Sequence, residues 1–332
     1  MLRISTFDPT TAADGDLVPF HEIAVAMCRV DRPNDSLPSF DTVVAGLRTP
    51  YSGHRWVDYR IAEVDGRLCG WVTVSLPYPN NQDMAVLNVR VHPDHRRRGI
   101  GTRLLKAAME TVDRPIVADS GMRKDGPGHA WGLSLGLDTA QVMAIQTRRL
   151  NDTDRTAPTS VPEGYRITGW GGGTPEALLE SYARARNALN DAPSGRSRQE
   201  HRQWTPDRIR EVEELARDRN VEQLVTVALK SGTDEVVAST IVELHPGRNI
   251  GFVTSTAVTA AHRGRALGRA VKMELHRRLA TERRDITKVH TSVNSDNGYM
   301  LHVNRQLGYQ TVSTIVTFEG ETAALSRRLG LN

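Results

Sequence analysis

The chain has 332 residues, of which 39% are hydrophobic and 25% charged, and it carries a net charge of +4. Its basic residues are dispersed and its aromatics make up only 5%, which argues against a nucleic-acid partner. No run reaches the ~18 apolar residues that cross a membrane. The start MLRISTFDPT lacks the apolar centre of a signal peptide, and Cys28 and Cys69 are too few for a disulfide framework, so a cytoplasmic protein is expected.

Hydrophobic periodicity predicts, in order, a strand at 2–6, helices at 16–29 and 40–48, and strands at 56–63 and 67–76 around an Asp65-Gly66 turn. A strand at 84–91 follows, ended by His92-Pro93-Asp94. A helix from 100 to about 112 places Ile100, Leu104, Leu105 and Ala108 on one face. A short strand at 116–118, a helix at 129–135 and a strand at 140–149 close the first half. The polar, proline-containing stretch 151–164 reads as a linker. The order then restarts with a strand at 165–168, helices at 175–187 and 206–217, and strands at 224–229, 236–244 and 250–258. A helix at 267–283, a strand at 289–293, a helix at 298–306 and a strand at 311–318 complete the second half.

The two halves also share a motif. Arg96-Arg97-Arg98-Gly99-Ile100-Gly101 recurs about half the chain later as Arg263-Gly264-Arg265-Ala266-Leu267-Gly268. Each copy follows a strand and opens a helix. A basic residue, glycines and a helix N-terminus form a cradle for phosphates, because unpaired backbone N–H groups point outward and little side chain obstructs them. Ala266 replaces the first glycine of the second copy and fits if that position keeps a right-handed backbone. A dinucleotide-binding reading is weaker, since the third glycine is absent after Gly101. No Cys or His cluster has metal-site spacing, so no metal is expected.

These residues resemble motif A of the GNAT superfamily of acyl-CoA N-acyltransferases, Gln/Arg-x-x-Gly-x-Gly/Ala. In the second half, Asn294, Asn297, Met300, Asn304 and Leu307-Gly308-Tyr309 resemble motif B of that family. The pattern is similar to the tandem GNAT proteins of actinobacteria. In the first half only Leu135-Gly136-Leu137 echoes motif B, and Gly132 stands in the place of Asn304.

The resemblance implies an α/β protein of two tandem GNAT-like domains, each a mixed, mostly antiparallel sheet flanked by helices. They are expected at 1–152 and 165–332, joined by a linker at 153–164, with the second the catalytic one. It implies acetyl-CoA as acyl donor. Its pyrophosphate would lie on Val258, Arg263, Gly264, Arg265, Ala266, Leu267, Gly268 and Arg269. The first copy offers Val91, Arg96, Arg97, Arg98, Gly99, Ile100, Gly101 and Thr102. Asn297 and Asn304 would line the pantetheine and reaction centre.

Direct attack of an amine on the thioester requires a proton acceptor and a donor to the leaving thiolate. The family often places a tyrosine where Asn304 stands, so Tyr309 and Tyr299 are the nearby alternatives. No carboxylate occurs in 250–258, and Asn88 stands at the matching place in the first half. Glu243 and His245 are therefore the nearest base candidates. The acceptor would enter between 175–217 and the final strands. The segment 194–203, with three Arg and a His, is either a lid over that entrance or a solvated loop. The expected reaction is N-acetylation of a small-molecule primary amine by a monomer or homodimer. The alternatives are acetylation of a peptide or protein amine, and a degenerate tandem protein that only binds acyl-CoA or serves as a scaffold.

Overall fold

The computed structural model describes the whole chain except residues 34–36, 50–52, 79, 157, 159, 202 and 332. Positions 157 and 159 of the expected linker and position 202 of the 194–203 segment thus lie outside the described residues. The first elements are β1 (Leu2–Thr6), α1 (Asp14–Asp31), α2 (Phe40–Arg48), β2 (His54–Val64), β3 (Arg67–Pro77), β4 (Met84–Val91) and α3 (Ile100–Met109). Next come β5 (Ile116–Ala118), β6 (Met122–Arg123), α4 (Pro127–Ser134), β7 (Asp138–Arg149) and α5 (Asp152–Thr156). The second half runs β8 (Tyr165–Gly171), α6 (Glu176–Arg186), α7 (Pro206–Asp218), β9 (Glu222–Lys230), β10 (Val236–Leu244) and β11 (Ile250–Val258). It ends with α8 (Leu267–Glu282), β12 (Lys288–Asn294), α9 (Gly298–Gln306), β13 (Gln310–Glu321) and α10 (Thr322–Leu329).

Local chemistry sets most boundaries. The Asp65-Gly66 turn has both residues at positive φ, +50° and +76°, as a two-residue hairpin requires. Ser39 and Thr205 cap α2 and α7, each accepting a hydrogen bond from the backbone N–H three residues on. Helix α10, not foreseen from the sequence, buries Leu325 and Leu329 and stops at Gly330, whose φ is +70°.

The chain folds into two compact units. One comprises Met1–Val142, Arg196–Glu200 and Ile315–Asn332; the other comprises Met143–Gly195 and His201–Thr314. The unit limits therefore fall inside β7 and β13 rather than in the 153–164 segment. In the first unit the strand order is β1-β2-β3-β4-β5-β13, with Ile116 to Ala118 antiparallel to Glu319 to Glu321. In the second it is β8-β9-β10-β11-β12-β7, with β12 antiparallel to Met143 to Arg149. Each sheet has one parallel neighbour pair, β4 with β5 and β11 with β12. Each is thus completed by a strand from the opposite half of the sequence.

Helices cover both faces of each sheet. In the first unit Leu17, Phe20 and Ile23 of α1 pack with Tyr59 and Trp71, while Leu104, Leu105 and Ala108 of α3 pack with Val72 and Val74. In the second, Tyr182 of α6 and Ile209 of α7 meet Val225 and Ile241, and Leu275 and Leu279 of α8 meet Val242 and Val253.

Two expectations change. The linker is not structureless at its start: α5 is pinned by an ion pair between Arg148 and the buried Asp154, and Arg155 Nε donates to Ala280 O at 2.9 Å. A polar sequence is ordered here because its charges find fixed partners. Likewise 196–200 is not a solvated loop. The buried Glu319 accepts hydrogen bonds from Ser197 Oγ at 2.6 Å and Arg198 N at 2.8 Å, and Asn81 Oδ1 accepts from Glu200 N at 2.7 Å. A buried carboxylate left without donors would be costly, and this segment supplies them.

Helix α8 buries an unexpected cation. Lys272 is 1% exposed, and its ammonium lies 4.7 Å from the Tyr309 ring centroid. Burial pulls its pKa down from 10.5 to about 7. An unfolded lysine stays protonated to about pH 10. Between about 7 and 10 the unfolded chain therefore holds a proton that the folded chain has released, and this group makes stability rise with pH there. Lys272→Met is expected to be more stable than wild type at pH 6, with an advantage that shrinks by pH 9.5. Urea denaturation at both pH values checks this; an advantage independent of pH would contradict it.

Candidate active site

The two phosphate-cradle loops have the same backbone. Each has two left-handed residues one apart: Arg97 and Gly99 at φ +64° and +75°, and Gly264 and Ala266 at +76° and +57°. Gly99 and Ala266 are the N-caps of α3 and α8, and neither supplies a capping side chain. The first N–H groups of each helix consequently have no partner in the helix, and alternating backbone hand turns the loop amides toward one concavity. The condition placed on Ala266, a right-handed backbone, is not met: its φ is +57°, and the loop keeps its shape with alanine in the left-handed region.

The structure places the predicted loop residues in distinct roles. Arg96 donates two hydrogen bonds to Asp31, at 2.8 and 2.7 Å, and one from Nε to Val91 O at 3.2 Å. Arg263 repeats this with Asp191 and with Val258 O at 3.1 Å. These two guanidiniums tie the loops to the preceding strands. Arg97, Arg98, Arg265 and Arg269 are exposed, whereas Ile100 and Leu267 are core residues. A Cβ on Gly101 would lie 3.8 Å from Val91 Cγ2, and one on Gly268 would lie 3.5 Å from Val258 Cγ2. Thr102 accepts a hydrogen bond from Trp131 Nε1 at 3.3 Å.

Above the second loop lies a wedge. Parallel β11 and β12 pair only from Ile250 with Lys288 to Val253 with Thr291, and then part. The register with β10 shifts between Ile241 and Val242, which leaves Thr254 as an extra residue. Such a bulge re-aims backbone groups beside a site. Three polar atoms bordering the wedge are buried and lack hydrogen-bond partners among the described residues: Ser255 Oγ, Asn294 Nδ2 and Asn304 Oδ1. Asn304 itself is fully buried, and its Nδ2 donates to Gln146 Oε1 at 2.8 Å. Neither Gln146 nor this pairing is legible from the sequence, because β7 joins this sheet from the other half.

The matching region of the first unit is filled. Strands β4 and β5 pair over Met84 to Val86 only, with no bulge toward β3, and Ser120 Oγ donates to Asn88 Oδ1 across the parting. Trp131 stands 3.8 Å from where a Cβ on Gly101 would be. The Phe318 ring lies 2.6 to 3.1 Å from the Cβ position of Gly132, the counterpart of Asn304.

The catalytic candidates separate. Tyr309 is buried, its hydroxyl is 2.8 Å from His276 Nε2, and burial pushes its pKa well up. Tyr299 is exposed. Asn297 caps α9, its Oδ1 accepting from Met300 N at 3.0 Å. Glu243 belongs to a cross-strand rank, Gln223, Glu243, Phe252, His290 and Thr147, at the closed end of the wedge. Its Oε1 accepts from Gln223 Nε2 at 3.0 Å, and His245 Nε2 is 3.8 Å from Oε2. Burial lowers the His245 pKa against the opposing pull of Glu243.

A left-handed alanine is strained by about 1–2 kcal/mol, partly offset by the entropy that glycine loses on folding. Ala266→Gly is therefore expected to stabilise the protein by about 0.5–1 kcal/mol. Urea denaturation checks this, and a loss of stability would refute the strain.

Residues 21–117 match the family described as Acetyltransferase (GNAT) family. The mycothiol acetyltransferase of Saccharomonospora viridis is 27% identical over 246 residues, covering 70% of this chain and 73% of that protein. The mycothiol acetyltransferase of Mycolicibacterium vanbaalenii is 26% identical over 281 residues, 81% of this chain and 85% of that protein. Among solved structures, a tandem GNAT protein from the clavulanic acid biosynthesis pathway superposes with a TM-score of 0.80 at 23% identity, over 97% of this chain and 99% of its own. A GCN5-related N-acetyltransferase from Sphaerobacter thermophilus gives 0.70 at 17% identity, covering 97% and 96%. Among the described residues no helix is long and apolar enough to cross a membrane. The duplicated loops, the parted parallel strands and these likenesses agree: residues 21–117 match the GNAT acetyltransferase family, and the chain as a whole has the fold of a tandem GNAT protein.

Proposed function

We propose that this protein transfers the acetyl group of acetyl-CoA to the primary amine of a small molecule, and that the second unit does so. The observation that carries this reading is the contrast between the wedges. Beside Asn304 three buried polar atoms have no partner among the described residues, whereas beside Gly132 the space holds Trp131 and Phe318. Buried polar groups without partners are rare and call for a ligand to satisfy them.

The residues fit the donor. The backbone of Gly264 to Gly268 and the N-terminus of α8 suit a pyrophosphate, and the unpaired edge of β11 beyond Val253 offers N–H and C=O groups to an amide-rich arm. Acetyl-CoA, when bound, supplies an activated acyl group as a thioester. Around it Asn304, oriented by Gln146, can hold a hydrogen bond but cannot give up a proton. Glu243 can accept the proton of an incoming ammonium, with Gln223 fixing one carboxylate oxygen and His245 near the other. The relatives named mycothiol acetyltransferase favour a small acceptor over a protein one. The absence of a carboxylate on β11 is what the binding-only alternative has in its favour.

Calorimetric titration with acetyl-CoA tests the reading. Gly268→Glu puts bulk and negative charge at the second cradle and is expected to abolish binding, while Gly101→Glu is expected to leave most of it. The reverse pattern would assign the donor to the first unit. Release of free thiol from acetyl-CoA with pooled amines separates a transferase from a protein that only binds.

A further inference from the structure

One buried cation beside the proposed acceptor face forms no ion pair among the described residues. Arg186, the last residue of α6, is 9% exposed and forms no ion pair among the described residues. Its guanidinium lies 3.2 Å from the Trp204 ring centroid and 5.8 Å from that of Tyr182, and its Nε has no hydrogen-bond partner there. Two other shielded arginines of this unit do form ion pairs. Arg148 holds Asp154, and Arg278 donates to Val225 O at 2.8 Å and to Glu282.

Stacking on an aromatic ring recovers part of the lost hydration of a guanidinium, and the Tyr182 side chain shares a hydrogen bond with it, but Nε is left without a partner among the described residues. The natural complement of a guanidinium's planar fork of N–H donors is a carboxylate, bound through two parallel hydrogen bonds. Arg186 is also well placed. Tyr182, one turn earlier on α6, packs with Ile241 of β10. Glu243 lies two residues along β10, on the same sheet face, and is near enough to act electrostatically on Arg186. That face therefore carries a carboxylate held by Gln223 and a guanidinium stacked on the Trp204 ring, near enough for their charges to interact but not joined in an ion pair among the described residues.

We infer that the acceptor is a small amine that also carries a carboxylate, such as an amino acid, with Glu243 facing the amine and Arg186 holding the acid group. This rests on the transfer reading above and narrows its substrate class. Opposite charges at the two ends would fix the orientation of such an acceptor and reject amines that leave Arg186 bare.

The test is calorimetric binding of L-glutamate, L-leucine, L-phenylalanine and L-cysteine to the protein saturated with CoA, each beside its carboxamide. At least one acid is expected to bind tenfold or more tightly than its amide. Arg186→Met, similar in bulk, is expected to bring that ratio close to one, and Arg186→Lys to restore part of it. Equal binding of acids and amides, no binding of any acid, or an equal loss of both in Arg186→Met would overturn the inference. Thiol release from acetyl-CoA with the same compounds separates the two readings. Turnover of amides and neutral amines alone would keep the transfer reading and sink this one, while bound acids without turnover of any amine would do the opposite.

Discussion

Everything chemical in this protein depends on two parallel strands that pair briefly and then separate. Hydrogen-bonded neighbours in a sheet normally satisfy each other along their length, and parting them strands backbone groups in the interior. Something must then occupy the wedge. In the first unit it is the protein: Ser120 reaches Asn88, Trp131 leans on the helix entry, and the Phe318 ring takes the space that an asparagine side chain has in the other copy. In the second unit Ser255, Asn294 and Asn304 keep polar atoms without partners among the described residues. One fold thus appears twice, once closed by its own side chains and once with buried polar atoms that no described residue satisfies.

The cradle loops show how a duplicated motif can diverge without changing shape. Both need two left-handed residues. The first copy keeps glycine at the second of them and tolerates Arg97 at the first; the other keeps Gly264 at the first and tolerates Ala266 at the second. Each copy retains one glycine and bears strain at one residue. The motif arginines are spent alike, on Asp31 and Asp191, so it is backbone rather than Arg96 or Arg263 that the proposed anion site would use.

Much of the architecture was legible in the sequence because it rests on local signals. Apolar period, the Asp65-Gly66 turn, and the strand, loop and helix order at 84–109 and 250–282 all lie within a few residues of one another. The site was legible in part. Asn304 and the loop glycines, on which the proposed site rests, stand out by spacing, but the use of Asn297 as a helix cap and the burial of Tyr309 against His276 depend on packing. Lys272 could have been noticed: it stands beside the stripe Leu267, Val271, Leu275 and Leu279, where a buried neighbour is expected to be apolar. Arg186 could not, since arginine in the last turn of a helix is ordinarily a surface residue favoured by the helix dipole. Gln146 and Glu319 were hidden for another reason, as each serves the unit opposite to its own half of the sequence.

That exchange of strands governs how the protein comes into being on the ribosome. The first unit has residues 319–321 beside β5, so its sheet stays one strand short until residue 321 has been synthesised. At ordinary rates of elongation the wait is on the order of tens of seconds, with the β5 edge open to any passing strand. The usual order, in which an N-terminal domain folds while the rest is still being made, is closed to this chain. The sheet of its first unit is complete only once the residues of the second have been made.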